Sequence, residues 1–240
     1  MIPKIIHYCW FGKKEKPIEV MKCIKSWQKY NPDYIIKEWN EDTFDITSIR
    51  FTKEAYEKQK YAFVTDVVRL HALINEGGIY LDTDVEILRP FSEELLKKIF
   101  FLGFEKTRKL MIGTAVIGSI PSHELFQNFY KLYQNRDFIK NDGTLNTTPN
   151  VDLLTDLLKK EGLIISDTIQ DINGGTIYPC EYFSPKNMST RKIKVTSKTY
   201  SIHHFAGTWI PKWKKLLLKI WIPFSSKYPQ IADKIKNIIG

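Results

Sequence analysis

Ala62 to Leu88 (AFVTDVVRLHALINEGGIYLDTDVEIL) limits the possible folds more than any other stretch. As far as Glu76 it is rich in helix-compatible residues, with neither proline nor glycine inside. Gly77-Gly78 then stops the helix, with Gly77 placed as a left-handed C-cap. Beyond the glycines the pattern alternates. Ile79, Leu81, Val85 and Ile87 share one parity, and Tyr80, Asp82, Asp84 and Glu86 take the other. This predicts a strand carrying the Asp82 and Asp84 carboxylates on one side. Two hard oxygen ligands at that spacing suit Mg2+ or Mn2+, ions whose shells are completed by water and substrate phosphates. The same spacing fits the solvated face of an edge strand. Thr65, Asp66, Arg69 and Glu76 likewise fit an ordinary exposed helical stripe.

The residues before this stretch suggest a sheet for it to join. Pro3 to Trp10 is apolar and β-prone, Met21 to Tyr30 reads as a helix ended by Asn31-Pro32, and Tyr34 to Trp39 reads as a second strand. A β-α-β opening favours a doubly wound nucleotide-binding α/β sheet, whose ligands sit at the carboxyl ends of its strands. Trp10 falls at one such end and Asp82-Asp84 at another. Further on, Phe100 to Glu105 and Met111 to Ile117 read as strands. Ser122 to Tyr133 is a helix N-capped by Ser122, and Val151 to Lys160 is another. Gly162 to Ser166 and Ile177 to Phe183 are short strand candidates.

Three separated patterns resemble glycosyltransferase family 32, which includes yeast-type mannosyltransferases, bacterial capsule enzymes and relatives of the large clostridial glucosylating toxins. A-x-x-x-D-x-x-R, Gly-Gly-x-Tyr and D-x-D are met in order by Ala62, Asp66, Arg69, Gly77, Gly78, Tyr80, Asp82 and Asp84. I-P-K-x-I-H-x-x-W-x-G is met by Ile2, Pro3, Lys4, Ile6, His7, Trp10 and Gly12. H-H-x-x-G-[ST]-W is met by His203, His204, Gly207, Thr208 and Trp209. Thr147-Thr148-Pro149 departs from the family's Gly-Pro at the glycine.

The resemblance implies a GT-A-type mixed sheet flanked by helices. It also implies a metal-dependent, retaining transfer of a hexose from a nucleotide-diphosphate sugar to a glycan or lipid-linked acceptor in surface polysaccharide synthesis. UDP-hexose is favoured over GDP-mannose by family habit. By the same resemblance Trp10 stacks on the base, where the residues alone would make it a core tryptophan. His7 itself reads as a satisfied core histidine. Asp84 and His204 are the expected direct Mn2+ (or Mg2+) ligands, and Asp82 reaches the ion through water and the ribose directly. Asp66 and Arg69 hold the donor sugar. Gly207 and Thr208 approach the diphosphate, and Trp209 holds the leaving oxygen or caps the sugar.

Two other function classes remain open on the sequence. Asp82-x-Asp84-x-Val85 also satisfies the nucleophile motif of haloacid-dehalogenase-like phosphatases, with Asp167 and Asp171 imitating their metal-binding strand end. That reading leaves the first-strand and double-histidine patterns without a role. The second is a non-catalytic membrane-surface module, suggested by the tail. From Lys186 onward there are twelve Lys or Arg and a single acid, Asp233, while the preceding residues are nearly balanced. Between Pro211 and Pro223, Trp213, Leu216, Leu217, Ile220 and Trp221 follow helical spacing among lysines. Such a helix suits an anionic membrane surface or docks its stripe on the domain. The expected organisation is a catalytic domain over 1–209 and a basic amphipathic tail over 210–240. Three scattered cysteines form neither a zinc pattern nor a disulfide framework. No signal or membrane-spanning run stands out, so a cytoplasmic protein, peripheral on the inner face of the plasma membrane, is expected. Nothing suggests a nucleic-acid partner.

Overall fold

The computed structural model describes residues 1–107 and 109–207. Thr208, Trp209 and the expected amphipathic tail lie outside them. In chain order the elements are β1 (Ile5–Cys9), α1 (Ile18–Tyr30), β2 (Ile35–Trp39), α2 (Arg50–Glu57), α3 (Tyr61–Glu76), β3 (Gly78–Leu81), β4 (Val85–Ile87) and α4 (Glu93–Leu96). There follow β5 (Phe100–Lys106), β6 (Leu110–Ile112), β7 (Val116–Ser119), α5 (Glu124–Gln134), α6 (Asn150–Lys160), β8 (Gln170–Ile172), β9 (Gly175–Tyr178), α7 (Cys180–Phe183) and β10 (Ser201–His203).

The main sheet runs β2-β1-β3-β7-β5-β9-β8, with β6 paired to β5. β1 is parallel to β2 and β3, whereas β7 is antiparallel to both β3 and β5. This is the mixed α/β sheet expected. Its inner strand β5 is buried on both faces, which is why Phe100 to Glu105 reads as a near-continuous apolar run. Phe100, Leu102 and Phe104 pack into one core with α2, α3, α5 and α6, while Phe101 faces the other core with α1, α4 and α7.

Several expected boundaries change. The strand foreseen over Ile79 to Ile87 is two strands, because Asp82, Thr83 and Asp84 form a turn and β4 pairs with β10 in a separate two-stranded sheet. Met111 to Ile117 divides into β6 and β7 around Gly113 to Ala115. Helix α5 begins at Glu124, capped by His123 Nδ1 accepting the Leu125 N–H rather than by Ser122. Gly162 to Ser166 is not a strand, and the segment from Ile177 divides into β9 and α7.

Gly77 has a positive φ of 65°, but its ψ of −158° places it outside the left-handed helical basin expected of a C-cap. The need for glycine here is steric. A Cβ on Gly77 would lie 2.7 Å from Pro121 Cδ, and one on Gly78 would lie 2.6 Å from the Ile5 carbonyl oxygen. The two glycines let the end of α3 drop directly between β1 and β7.

His7 closes this junction from beneath. Trp39 Nε1–H donates to its Nδ1 at 3.1 Å, so Nε2 carries the proton and donates to the Gly77 carbonyl at 2.8 Å. Burial lowers its pKa from 6.5. The unfolded chain therefore takes up a proton at His7 before the folded one does, and His7 costs stability as pH falls below about 6.5. Chemical denaturation from about pH 7 to about pH 5 should show part of this loss, bounded by roughly 1.4 kcal/mol per pH unit for one group. His7→Gln should flatten the slope; an unchanged slope would remove His7 as its source.

Candidate functional site

Asp82 and Asp84 sit where the chain leaves the main sheet at β3 and enters the small sheet at β4. The Val85 N–H donates to the Asp82 carbonyl at 3.0 Å, closing the turn, and Trp27 Nε1–H donates to the Val85 carbonyl at 2.7 Å, anchoring it to α1. Turn geometry, not strand alternation, therefore sets the carboxylate pair. β10 lies antiparallel to β4 with His203 opposite Val85, which carries His203 to the same turn. One donor atom each from Asp82, Asp84 and His203 falls within 4.8 Å of the others. Two carboxylates and an imidazole are a chemically apt donor set for Mn2+ or Mg2+.

Asp84 is held from several sides. Its side chain accepts the Ala206 N–H at 2.7 Å, its carbonyl accepts the His204 N–H at 3.0 Å, and His203 Nε2 stands 3.4 Å from Oδ1. Burial opposes its charge, but His203 and the Ala206 N–H prevail and lower its pKa to about 2. His203 Nδ1 faces the buried Glu105 carboxylate at 3.2 Å. Burial disfavours the imidazolium, yet Asp84 and Glu105 together raise its pKa well above the ordinary histidine value. The two carboxylates thus favour the charged form of the imidazole between them.

His204, the expected ligand, points elsewhere: its Nε2 lies 2.8 Å from Glu86 Oε2. Neighbouring residues of an extended segment face opposite ways, so only one histidine can reach the turn. Pairing with β4 selects His203.

Beneath Asp82, the guanidinium of Arg69 reaches Asp66 Oδ1 at 3.0 Å, Asp82 Oδ1 at 3.5 Å and the Thr114 carbonyl at 2.6 Å. It also lies 4.6 Å from the centroid of the Tyr80 ring, whose hydroxyl donates to Asp82 at 2.8 Å. Asp66 and Arg69 are only 8% and 5% exposed, which rules out the solvent-facing stripe. Burial pushes the Asp66 carboxyl up to about 7, with Arg69 pulling against it. The direct contacts with Arg69 and with Asn150 Nδ2, at 2.7 Å, both favour the carboxylate.

Trp10 follows β1 at the same carboxyl edge, half-buried, its indole N–H donating to the Lys14 carbonyl at 2.6 Å. Gly207, with φ of 52°, follows Ala206, whose N–H holds Asp84. The phosphatase imitation does not assemble. Asp167 accepts the Cys180 N–H, Asp171 accepts the Thr176 hydroxyl, and β8 is separated from β3 by β7, β5 and β9.

Sequence reasoning missed Glu105 and Asn150. Glu105 carried one signal, as the lone acid ending an apolar strand. A Cβ on Gly113 would come within 2.9 Å of its carboxylate oxygen. Asn150 is the first residue of α6, where it reads as no more than a helix start.

The family described as "Glycosyltransferase sugar-binding region containing DXD motif" matches residues 17–101. An uncharacterized glycosyltransferase of Acanthamoeba polyphaga mimivirus is 28% identical over 95% of this chain and 90% of its own length. The Subversion of eukaryotic traffic protein A of Legionella pneumophila is 30% identical over 42% of this chain, which spans 20% of that protein. A mannosyl phosphorylinositol ceramide synthase of Saccharomyces cerevisiae is 30% identical over 55% of this chain and 35% of its own length. Among solved structures, the PaToxG glycosyltransferase superposes with a TM-score of 0.47 and 20% identity, covering 67% of this chain and 70% of that one.

The Glu105–His203 contact has the form of a carboxylate orienting a metal-binding imidazole. Glu105→Ala should weaken Mn2+ binding, measured by calorimetry, on the order of ten-fold or more, and Glu105→Gln, which keeps an acceptor, should lose less. Binding should also release a proton as His203 becomes neutral, seen as a dependence of the heat on buffer ionisation. Wild-type affinity in Glu105→Ala would leave His203 without need of this partner.

Proposed function

This chain belongs to the glycosyltransferases whose sugar-binding region contains a DXD motif, and from that premise we propose that it transfers a hexose, with retention, from a nucleoside-diphosphate sugar to a glycan or lipid-linked acceptor. The observation that carries this reading is the convergence of Asp82, Asp84 and His203 beside the buried Asp66–Arg69 pair. Asp82, Asp84 and His203 would hold the divalent ion, with His204 remaining on Glu86. A bound Mn2+ or Mg2+ supplies Lewis-acid neutralisation of the departing diphosphate.

The other roles follow from chemistry. Arg69 cannot lose its charge, so it fixes Asp66 and Asp82 whether or not the ion is present. Asp66, shared between Arg69 and Asn150 through Oδ1, keeps acceptor capacity for donor-sugar hydroxyls. Trp10 offers an aromatic face for the base at the edge where the carboxylates gather. Gly207 lets the backbone approach the diphosphate, and by family resemblance alone Thr208 shares that role and Trp209 holds the leaving oxygen or caps the sugar. A UDP-hexose donor, a surface-polysaccharide acceptor and a cytoplasmic, membrane-peripheral setting are part of the same proposal. No helix among the described residues is long and apolar enough to cross a membrane.

Incubation with Mn2+ and a panel of nucleotide sugars should show hydrolysis of one donor in preference to the others, with UDP-hexoses leading. Asp84→Asn, folded by circular dichroism, should fall to the rate of the metal-free protein, and Asp84→Glu should fall nearly as far because coordination is geometric. His203→Ala should raise the Mn2+ concentration required, whereas His204→Ala should leave it unchanged. Near-native turnover in Asp84→Asn, or the opposite histidine behaviour, would overturn this ligand set.

A further inference from the structure

We propose that the chain docks on an anionic bilayer surface through a basic hairpin whose outgoing arm exposes Ile193 and Val195, over residues 186–198, beside the site described above. The hairpin closes through an antiparallel bridge between Lys186 and Ile193. The Asn187 N–H donates to the Lys192 carbonyl at 2.9 Å, and the Arg191 N–H donates to the Asn187 carbonyl at 2.8 Å. Arg191, Lys192, Ile193, Lys194 and Val195 all face solvent, with Ile193 44% and Val195 52% exposed. From Pro185 to Tyr200 there is no acidic residue.

The fold adds a second basic stretch. The Met188 N–H donates to the Lys106 carbonyl at 3.0 Å, and Ser189 Oγ donates to the Thr107 carbonyl at 3.2 Å. The hairpin therefore rests on the exposed turn between β5 and β6. Among the described residues Lys109 pairs with Asp152 and Lys198 with Glu181, while Lys106, Arg191, Lys192 and Lys194 have no ion-pair partner.

A cationic patch by itself suits any polyanion. The two exposed β-branched side chains set among the cations suit a surface with acidic headgroups above an apolar layer. Position supports the same occupant. Lys186 Nζ donates to the His204 carbonyl at 2.6 Å, so the base of the hairpin is tied to the loop that follows His203. Docking would hold the carboxylate turn near the headgroups, where a lipid-linked acceptor presents its sugar. That last consequence rests on the transferase reading, but docking itself does not.

The test is co-sedimentation of the full chain with vesicles of phosphatidylcholine alone or mixed with phosphatidylglycerol. Binding should require phosphatidylglycerol and fall as salt rises. Each cation near such a surface is worth roughly five-fold in partitioning, so Lys192→Ser with Lys194→Ser should lower binding by about ten-fold or more. Ile193→Ser with Val195→Ser should lower it at constant charge. Mn2+-dependent donor hydrolysis should persist in both double variants, showing that the site is intact. Several outcomes would overturn the proposal: no wild-type binding, equal binding to neutral vesicles, or double variants that bind like wild type because residues 210–240 suffice. Loss of binding to an acidic polysaccharide such as polygalacturonate, with vesicle binding unchanged, would assign the patch to a polymer instead. Failure of donor hydrolysis in the wild type would count against the transferase reading and leave the docking result standing.

Discussion

A buried guanidinium makes this arrangement of acids possible. Arg69 touches Asp66, Asp82 and the Thr114 carbonyl and stacks on Tyr80, so one permanent cation serves two carboxylates, a backbone acceptor and an aromatic face. Removing it would leave two acids near one another without their partner, and truncation of one member of a buried ion pair typically costs about 3–5 kcal/mol. Its position comes from α3, a helix buried around most of its surface, with Leu70, Val67 and Leu73 packed into the core that covers the sheet. The polar network is thus built on one of the most firmly packed elements of the fold.

The second dependence is long-range. Asp82 and Asp84 acquire their histidine from a strand near the other end of the described chain, and β4 and β10 pair over only three residues. Side-chain and backbone contacts around Asp84 reinforce that short ladder. Ala206 and His204 both donate to Asp84, and Ser201 Oγ donates to the Phe183 carbonyl. Lys186 ties the following loop back to the hairpin.

Much of this was legible in the residues. Helix α3, the Gly77-Gly78 break and the elements of the β-α-β opening follow from local pattern, because each is decided by neighbours within a few positions; the partners that satisfy His7 lie 32 and 70 positions away. The Asp-x-Asp pair was found for a partly wrong reason: alternation suggested one strand, and a turn between two sheets delivers the same convergence. The choice between His203 and His204 was not legible, since it is set by register with Val85 and by nothing near residue 203. Glu105 and Asn150 escaped for the same cause. Their partners, His203 and Asp66, are 98 and 84 positions away.

The pairing of β10 with β4 also imposes an order of events during synthesis. A chain growing from its N-terminus holds Asp66, Arg69, Asp82 and Asp84 long before His203 emerges. Until then the Asp84 carboxylate lacks its imidazole neighbour and the Ala206 amide, and β4 has no strand beside it. Closure of contacts so distant along the sequence is among the slower steps available to a domain of this size. A partly made chain therefore carries the two carboxylates of the turn without the third donor group until β10 has been made and paired.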